Sequence, residues 1–293
     1  MANEFQGKSL SDPSFAAADT VAPADLHAAF VAAFSDYVAG PFQVPPDQWD
    51  YLLARQVVDL AASRVALVGG RVVAFAYTAR RPSIGRWRLA AMGALAESRG
   101  TGAAPALLDD FIARARVEGV RGLELECFEK NERALNLYRG RGFEVVHALN
   151  GWSAPAAGSA GAGDAQAASP AVVEREAAFA WLDDATQRVP DLPLQVTTPT
   201  LRVAQRPLTC WQAGTAQLVF SVVAETPIQV HSLVDRSPAQ HDAEALVRAL
   251  RVAHPDFAVT VPALQRDDLG GDALRRLGFE QAALNQVLAT RAL

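Results

Sequence analysis

The segment RGTGAA, Arg99–Ala104, lies inside the stretch RLAAMGALAESRGTGAAPALLDDFIARA, residues 88–115. The apolar run before it predicts a β-strand, and the periodic run after it predicts an amphipathic helix. The first N–H groups of a helix lack intrahelical partners, and glycine lets a ligand approach the backbone closely. Together with the permanent charge of Arg99, this pattern is typical of a phosphate or pyrophosphate site. The alternative is a helix entry in which glycine only helps the turn.

The elements around this loop predict an α/β fold, with an α/β sandwich of mixed strand direction in the first half. Two helices come first, then a strand meander, then strands and helices in alternation. The predicted helices are 24–37, 47–56, 105–117 and 131–139, and the predicted strands are 64–68, 72–78, 86–96, 122–129 and 142–149. In this order the loop joins the third strand to a helix.

The second half repeats this plan. Its predicted helices are 173–187, 241–253 and 267–278, and its predicted strands are 208–214, 216–225, 228–235, 257–264 and 279–290. The tripeptide GFE occurs at Gly142–Glu144 and again at Gly278–Glu280. The sequence therefore predicts two similar mixed-sheet domains in tandem.

Composition sets the predicted domain boundaries. Residues 153–171 are rich in Ala, Gly and Ser, lack apolar periodicity, and are typical of a linker. Residues 1–15 are polar and aperiodic, which predicts a disordered tail. The predicted domains are then residues 16–152 and 172–293.

Charge and cysteine content limit the function classes. The 293-residue chain has a formal net charge of −5, which argues against non-specific nucleic-acid binding. Its two cysteines are far apart, so neither a metal site nor a disulfide framework is expected. There is no signal pattern and no apolar run long enough to span a membrane. We expect a soluble cytoplasmic protein without a membrane partner.

Two motifs give the chain a family resemblance. The pyrophosphate loop of the GCN5-related N-acetyltransferase (GNAT) superfamily reads Arg/Gln-x-x-Gly-x-Gly/Ala, and this chain has Arg99, Gly102 and Ala104 at that spacing. The family's later signature is Asn-x-x-Ala-x-x-Leu-Tyr followed by Gly-Phe. The chain matches it at Asn131, Ala134, Leu137, Tyr138, Gly142 and Phe143. The chain thus resembles this superfamily over residues 20–150, and over the second half only in outline.

The resemblance implies acetyl-CoA as cosubstrate, held in a cleft between two splayed parallel strands, with no metal. The pyrophosphate would lie on the loop, and the pantetheine arm would pair with the backbone of the preceding strand. The residues implied in binding are Met92, Gly93, Ala94, Arg99, Gly100, Thr101, Gly102, Ala103, Ala104, Asn131, Ala134 and Tyr138. A backbone N–H of Met92–Ala94 would polarise the thioester carbonyl.

The resemblance also implies catalytic roles. Tyr138 stands where the family commonly has the general acid that protonates the CoA sulfur; otherwise it is a core tyrosine. Glu126 lies where some relatives carry the general base; a solvated strand face is its alternative, and a water chain could replace it. Phe34, Tyr37 and Phe42 are the candidate residues of the acceptor pocket. Arg80, Arg81, Arg86 and Arg88 are expected on a solvated face.

The second half lacks the site residues. Aligning the GFE tripeptides places Leu274 opposite Tyr138, and aligning the helices places Pro238–Ala243 opposite the loop. This half is therefore predicted to be a degenerate domain that does not bind CoA. The expected function is an N-acetyltransferase with one site per chain, acting on a small-molecule or peptide amine as a monomer or homodimer. The alternatives are a non-catalytic acyl-CoA-binding module and a structural scaffold.

Overall fold

The computed structural model describes residues 13–158 and 170–293, whose strands form a single mixed sheet of 13 strands. The strands are β1 (Ser14–Ala17), β2 (Val58–Val68), β3 (Arg71–Arg81), β4 (Arg86–Ala94), β5 (Gly122–Phe128), β6 (Glu144–Ala154), β7 (Ala171–Val172), β8 (Thr209–Ala213), β9 (Ala216–Ser221), β10 (Ile228–Asp235), β11 (Val259–Gln265), β12 (Glu280–Gln281) and β13 (Gln286–Ala292). The helices are α1 (Pro23–Ala33), α2 (Trp49–Arg55), α3 (Ala103–Val117), α4 (Glu132–Arg139), α5 (Arg175–Arg188), α6 (Thr198–Arg202), α7 (His241–Ala253) and α8 (Gly271–Arg276). Among the described residues, no helix has the length and apolar character needed to cross a membrane.

Helices cover both faces of the first-half sheet because side chains alternate along each strand. Phe75 and Tyr77 of β3 pack with Phe30 of α1 on one face. Ala74 and Ala76 of the same strand pack with α3 on the other face. The sheet is therefore the middle layer of an α/β sandwich, as the sequence predicts.

Strands β4 and β5 are parallel neighbours that separate partway along their length. They pair only where Arg86–Arg88 of β4 lie beside Gly122–Glu124 of β5. A β-bulge at Ala90 interrupts the pairing of β4 with β3, between the partner pairs Tyr77–Ala91 and Thr78–Leu89. Beyond Arg88, one edge of β4 pairs with no strand in the described part of the chain, so its backbone N–H and C=O groups remain available to a ligand.

The strands of the two halves are interleaved. In sheet order, β5 of the first half is followed by β13 of the second half, then β6, then β11. Seven residue pairs join β13 to β5 in antiparallel register, from Gln286–Phe128 to Ala292–Gly122. Strand β6 in turn pairs with β11 of the second half. Each half thus completes the sheet of the other.

Described strands overlap the ends of the predicted tail and of the predicted linker. The predicted tail 1–15 overlaps β1, in which Ser14 and Phe15 pair with β2, while residues 1–12 lie outside the described residues. The predicted linker 153–171 overlaps β6 and β7, and its residues 159–169 also lie outside the described residues. β6 extends five residues past its predicted end because Asn150–Ala154 find a second partner strand in β11. That partner is distant in sequence and leaves no local signal.

Candidate functional site

The loop Arg99–Ala104 leads into α3 with two glycines in left-handed conformations. Gly100 has φ +85° and Gly102 has φ +91°, a region that side chains rarely adopt. No atom lies within 4 Å of the position where a Cβ would stand on either glycine, so both face open space. Helix α3 begins without a side-chain cap, which leaves its first N–H groups free to bind an anion.

A cavity of about 520 Å³, here called the loop cavity, opens in front of this helix start. Nine of the predicted cofactor-binding residues line it: Met92, Gly93, Ala94, Arg99, Gly100, Gly102, Ala104, Asn131 and Ala134. Three others do not. Thr101 directs its hydroxyl to the carbonyl of Ser98, and Ala103 is buried in the core. Tyr138, the third, lines the adjoining cavity instead.

Arg99 is held at the edge of the loop cavity by the end of α1. Its guanidinium donates to both carboxylate oxygens of Asp36, at 2.5 and 2.6 Å, and to the carbonyl of Ala33 at 3.2 Å. This pairing lowers the pKa of Asp36 below its ordinary value. Asp36 is 57% exposed, so an incoming anion can compete with it for Arg99. The charge predicted for the loop is present, but a carboxylate already neutralises it.

A second cavity of about 540 Å³, the aromatic cavity, adjoins the first. All three predicted pocket residues, Phe34, Tyr37 and Phe42, line it. Helix α1 ends at Ala33, four residues before its predicted end, and the turn that follows brings Phe34 and Tyr37 to the cavity wall. The residues that line both cavities are Phe34, Tyr37, Met92, Asn131 and Ala134. The two spaces therefore meet beside the start of α4.

Helix α4 positions Tyr138. Asn131 caps the helix by accepting a hydrogen bond from the N–H of Ala134 at 3.3 Å. The Tyr138 ring packs edge-on against Phe143, with 6.0 Å between ring centroids, and the residue also lines the aromatic cavity. Burial, and next the nearby thiol of Cys127, raise the pKa of Tyr138 above its ordinary value. The phenol is therefore protonated at neutral pH and is able to donate.

Glu126 lines the aromatic cavity, but both of its carboxylate oxygens have partners. Arg88 donates to Oε2 from Nε at 2.7 Å and from Nη2 at 2.6 Å. With its amide oriented to satisfy both neighbours, Gln195 donates to Oε1 at 3.0 Å and accepts from Arg88 at 2.5 Å. The Arg88 and Glu126 side chains are 3% and 2% exposed. This cluster of three side chains forms part of the cavity wall.

The expectation of a solvated arginine face is wrong for Arg81 and Arg88, which are 4% and 2% exposed. Arg81 is paired with the fully buried carboxylate of Glu124, parallel to the Arg88–Glu126 pair. Arg86 and Arg88 stand two apart on β4 beside Glu124 and Glu126 on β5, and this spacing was the signal for pairing between the strands. Arg81 reaches Glu124 from β3. Gln195 and Gln286, which also line the aromatic cavity, come from the second half and carry no local signal.

The second half closes the corresponding space with its own side chains. Gln240, 1% exposed, occupies the N-cap position of α7. Its side chain accepts from the N–H of Ala273 in α8 at 3.1 Å and donates to the carbonyl of Asp267 at 2.9 Å. The buried carboxylate of Asp235 accepts from the N–H of Ala243 in the first turn of α7 at 2.9 Å. When α3 and α7 are aligned by their N-cap residues, Gly102 corresponds to Gln240. The alignment of the sequences pairs Gly102 with His241, one position further along. Between β10 and β11, the space beside Leu233 has no room for a water molecule.

Comparisons with known proteins identify a domain family for part of the chain and a shared fold for nearly all of it. Residues 27–143 match the model of the acetyltransferase (GNAT) family. A GCN5-related N-acetyltransferase from Kribbella flavida is 18% identical, with a TM-score of 0.62 over 98% of this chain and 73% of that chain. Similar proteins from Anabaena variabilis (15% identical, TM-score 0.63, 96% and 72% covered) and Sphaerobacter thermophilus (14%, 0.59, 96% and 95%) share the fold. No curated protein sequence gives a significant match.

Proposed function

We propose that the protein is an acetyl-CoA-dependent N-acetyltransferase with one active site per chain, because residues 27–143 match the model of the GNAT family of acetyltransferases. The acceptor is a primary amine, which attacks the donor directly while both substrates are bound. The observation that carries the proposal is the loop cavity, which joins an uncapped helix start to a second cavity lined by Tyr138. A cytoplasmic location is part of the same proposal.

The loop cavity suits the CoA part of the donor. The open positions beside Gly100 and Gly102 leave room for a pyrophosphate against the N–H groups of α3. The unpaired edge of β4 at Met92–Ala94 offers backbone groups to the pantetheine amides. Arg99 adds a positive charge once its exposed partner Asp36 is displaced. Bound acetyl-CoA would supply a thioester carbonyl at the junction of the two cavities.

The chemistry at this junction depends on proton movement. The amine must be neutral to attack, and the departing sulfur must be protonated. Tyr138, which burial keeps protonated, is the proposed acid. Glu126 is not free to serve as the base, because Arg88 and Gln195 occupy both of its oxygens. The proton of the amine therefore leaves through water, the alternative already open from the sequence.

Release of free CoA from acetyl-CoA, followed with a thiol reagent and a panel of primary amines, tests the proposal. The Tyr138→Phe variant is expected to have a kcat about 10²-fold lower, because the general acid is lost. Its Kd for acetyl-CoA should stay within about twofold of that of the unchanged protein. Tyr51→Phe, on the half-buried face of α2, is the matched control and should retain full activity. Full activity of Tyr138→Phe would contradict the assignment of the acid.

A non-catalytic acyl-CoA-binding module is the second candidate. The observation that favours it is the closed Arg88–Glu126 pair, which leaves the aromatic cavity without a free carboxylate base. The two candidates differ in turnover. The enzyme binds acetyl-CoA and releases CoA when an amine is present, whereas the module binds acetyl-CoA without amine-dependent release.

A further inference from the structure

The aromatic cavity has a wall that suits an apolar body. Phe30, Phe34 and Phe42 form a contiguous ring cluster, with Phe30 centroids 4.7 Å from Phe34 and 5.9 Å from Phe42. Tyr37 continues the cluster to Phe128 at 5.6 Å. Surface of this kind binds through the removal of apolar area from water, so it favours aromatic or alkyl groups.

Three charged side chains line this cavity among the described residues: Arg55, Arg88 and Glu126. Two positive charges and one negative charge leave a net charge of +1. The carboxylate among these three, Glu126, is already neutralised by Arg88 and is held by Gln195. Arg55 lies exposed at the end of α2. The wall thus offers no uncompensated negative charge to a cationic ligand.

This wall has two consequences for an amine. Desolvation against the aromatic wall lowers the pKa of a single amino group, which helps it to lose the proton that blocks attack. A second ammonium group would have to be desolvated in the same cavity without a counter-ion, which is costly. A carboxylate at the far end of the ligand would instead find Arg55.

From this wall we infer the acceptor class: a primary amine on an aromatic or alkyl body that carries no second positive charge, with a neutral or anionic far end. The inference rests on the proposed function and specifies the substrate class of that same site. Polycationic amines are poor substrates in this account.

Three amines that differ only at the far end test the inference on the full-length protein. They are octylamine, α,ω-diaminooctane and ω-aminooctanoic acid, each assayed for CoA release with acetyl-CoA. Octylamine and ω-aminooctanoic acid are expected to show kcat/KM values at least about tenfold above that of the diamine. A diamine that reacts as well as octylamine would overturn the inference.

Charge reversal at the cavity gives a second readout. Arg55→Glu is expected to reduce the preference for ω-aminooctanoic acid over the diamine by at least about fivefold, because the net charge of the wall changes sign. Arg116→Glu, an exposed position in the last turn of α3, makes the same charge change away from the cavity and should leave the preference unaltered. Equal effects of the two variants would contradict a local role for Arg55.

Direct binding separates failure of this inference from failure of the proposed function. Calorimetric titration of the same three amines into the protein measures the cavity preference without turnover, and the diamine is expected to have the highest Kd. Equal Kd values for octylamine and the diamine would contradict the inference alone. Absence of CoA release with every amine, despite the expected order of Kd values, would contradict the proposed function alone.

Discussion

Helices α3 and α7 occupy matching places in the two halves, and their N-termini have opposite surroundings. In front of α3 lies a cavity of about 520 Å³, with Gly102 as the cap. In front of α7, the side chain of Gln240 reaches across to α8, and Asp235 accepts from the first turn. One helix start is open to an anion, and the other already holds a carboxylate of the same chain.

The acidic partners of the two helix starts show the same contrast. Asp36 beside the first-half loop is 57% exposed, so a ligand can displace it from Arg99. Asp235 is fully buried and also accepts from Thr215 at 2.7 Å and from Ser237 at 2.8 Å. Two regions of similar topology can therefore differ in their sites, because internal hydrogen bonds occupy one helix start and leave the other open.

Removal of β13 should reduce stability and binding more than any other change, because both halves of the chain depend on the interleaved sheet. Ending the chain after Asn285 leaves β5 and β6 with unpaired edges and removes Val287, Leu288 and Ala289 from the core. We expect loss of cooperative thermal unfolding, followed by circular dichroism, and loss of acetyl-CoA binding. Removal of Leu293 alone is the control. A truncated chain with the same midpoint temperature of unfolding as the intact chain would contradict a structural need for β13.

The open helix start can be blocked at Gly102. In Gly102→Asp, the new side chain enters the space beside the loop and places a negative charge where the pyrophosphate is proposed to lie. We expect the Kd for acetyl-CoA to rise at least about 100-fold, or about 2.7 kcal/mol. Gly278→Asp is the matched control, since it has φ +75° and equally open surroundings in the second half. Similar Kd values for both variants would show that strain, rather than a blocked site, causes the effect.

The closed helix start can be weakened at Asp235. Asp235→Asn removes a buried charge that accepts hydrogen bonds from Thr215, Ser237 and Ala243. We expect the free energy of unfolding to fall by about 2 kcal/mol in urea, with the Kd for acetyl-CoA unchanged. Asp272→Asn, at an exposed pair with Arg275, should change stability little. Weaker acetyl-CoA binding by Asp235→Asn at full occupancy of the folded state would contradict the separation of the two regions.

Removing the carboxylate of Asp36, which competes with the ligand for Arg99, should lower the Kd for acetyl-CoA slightly. Asp36→Asn frees Arg99 for the ligand, so acetyl-CoA is expected to bind about three- to tenfold more tightly at low salt, and less so at high salt. Asp25→Asn, near the start of α1, makes the same charge change as a control. If Asp36→Asn binds more weakly instead, then Asp36 holds Arg99 in its binding position and does not compete.

Local patterns in the sequence predict the α/β sandwich and the open loop. Helix α7 occupies its predicted range, 241–253, because its apolar residues recur at helical spacing. The loop is predictable because Gly100, Gly102 and the start of α3 are contiguous. Helix α4 begins one residue later than predicted because Asn131 serves as its cap.

Contacts between distant segments account for what the sequence does not reveal. The pairing of β13 with β5 joins residues more than 150 positions apart, such as Gln286 and Phe128. Gln195 reaches Glu126 from the other half of the chain, and no local pattern marks either contact. Arg99 shows the same limit: its charge is evident in the sequence, but its partner Asp36 is not.

Of the two matching helices, α3 has a start that is open to an anion, and α7 has one that the chain closes with its own side chains. Calorimetric titration of the full-length protein with acetyl-CoA tests this claim most directly through the number of sites. The account predicts one site per chain, which is lost in Gly102→Asp and retained in Gly278→Asp. Two sites per chain, or binding that survives Gly102→Asp with its affinity unchanged, would contradict it.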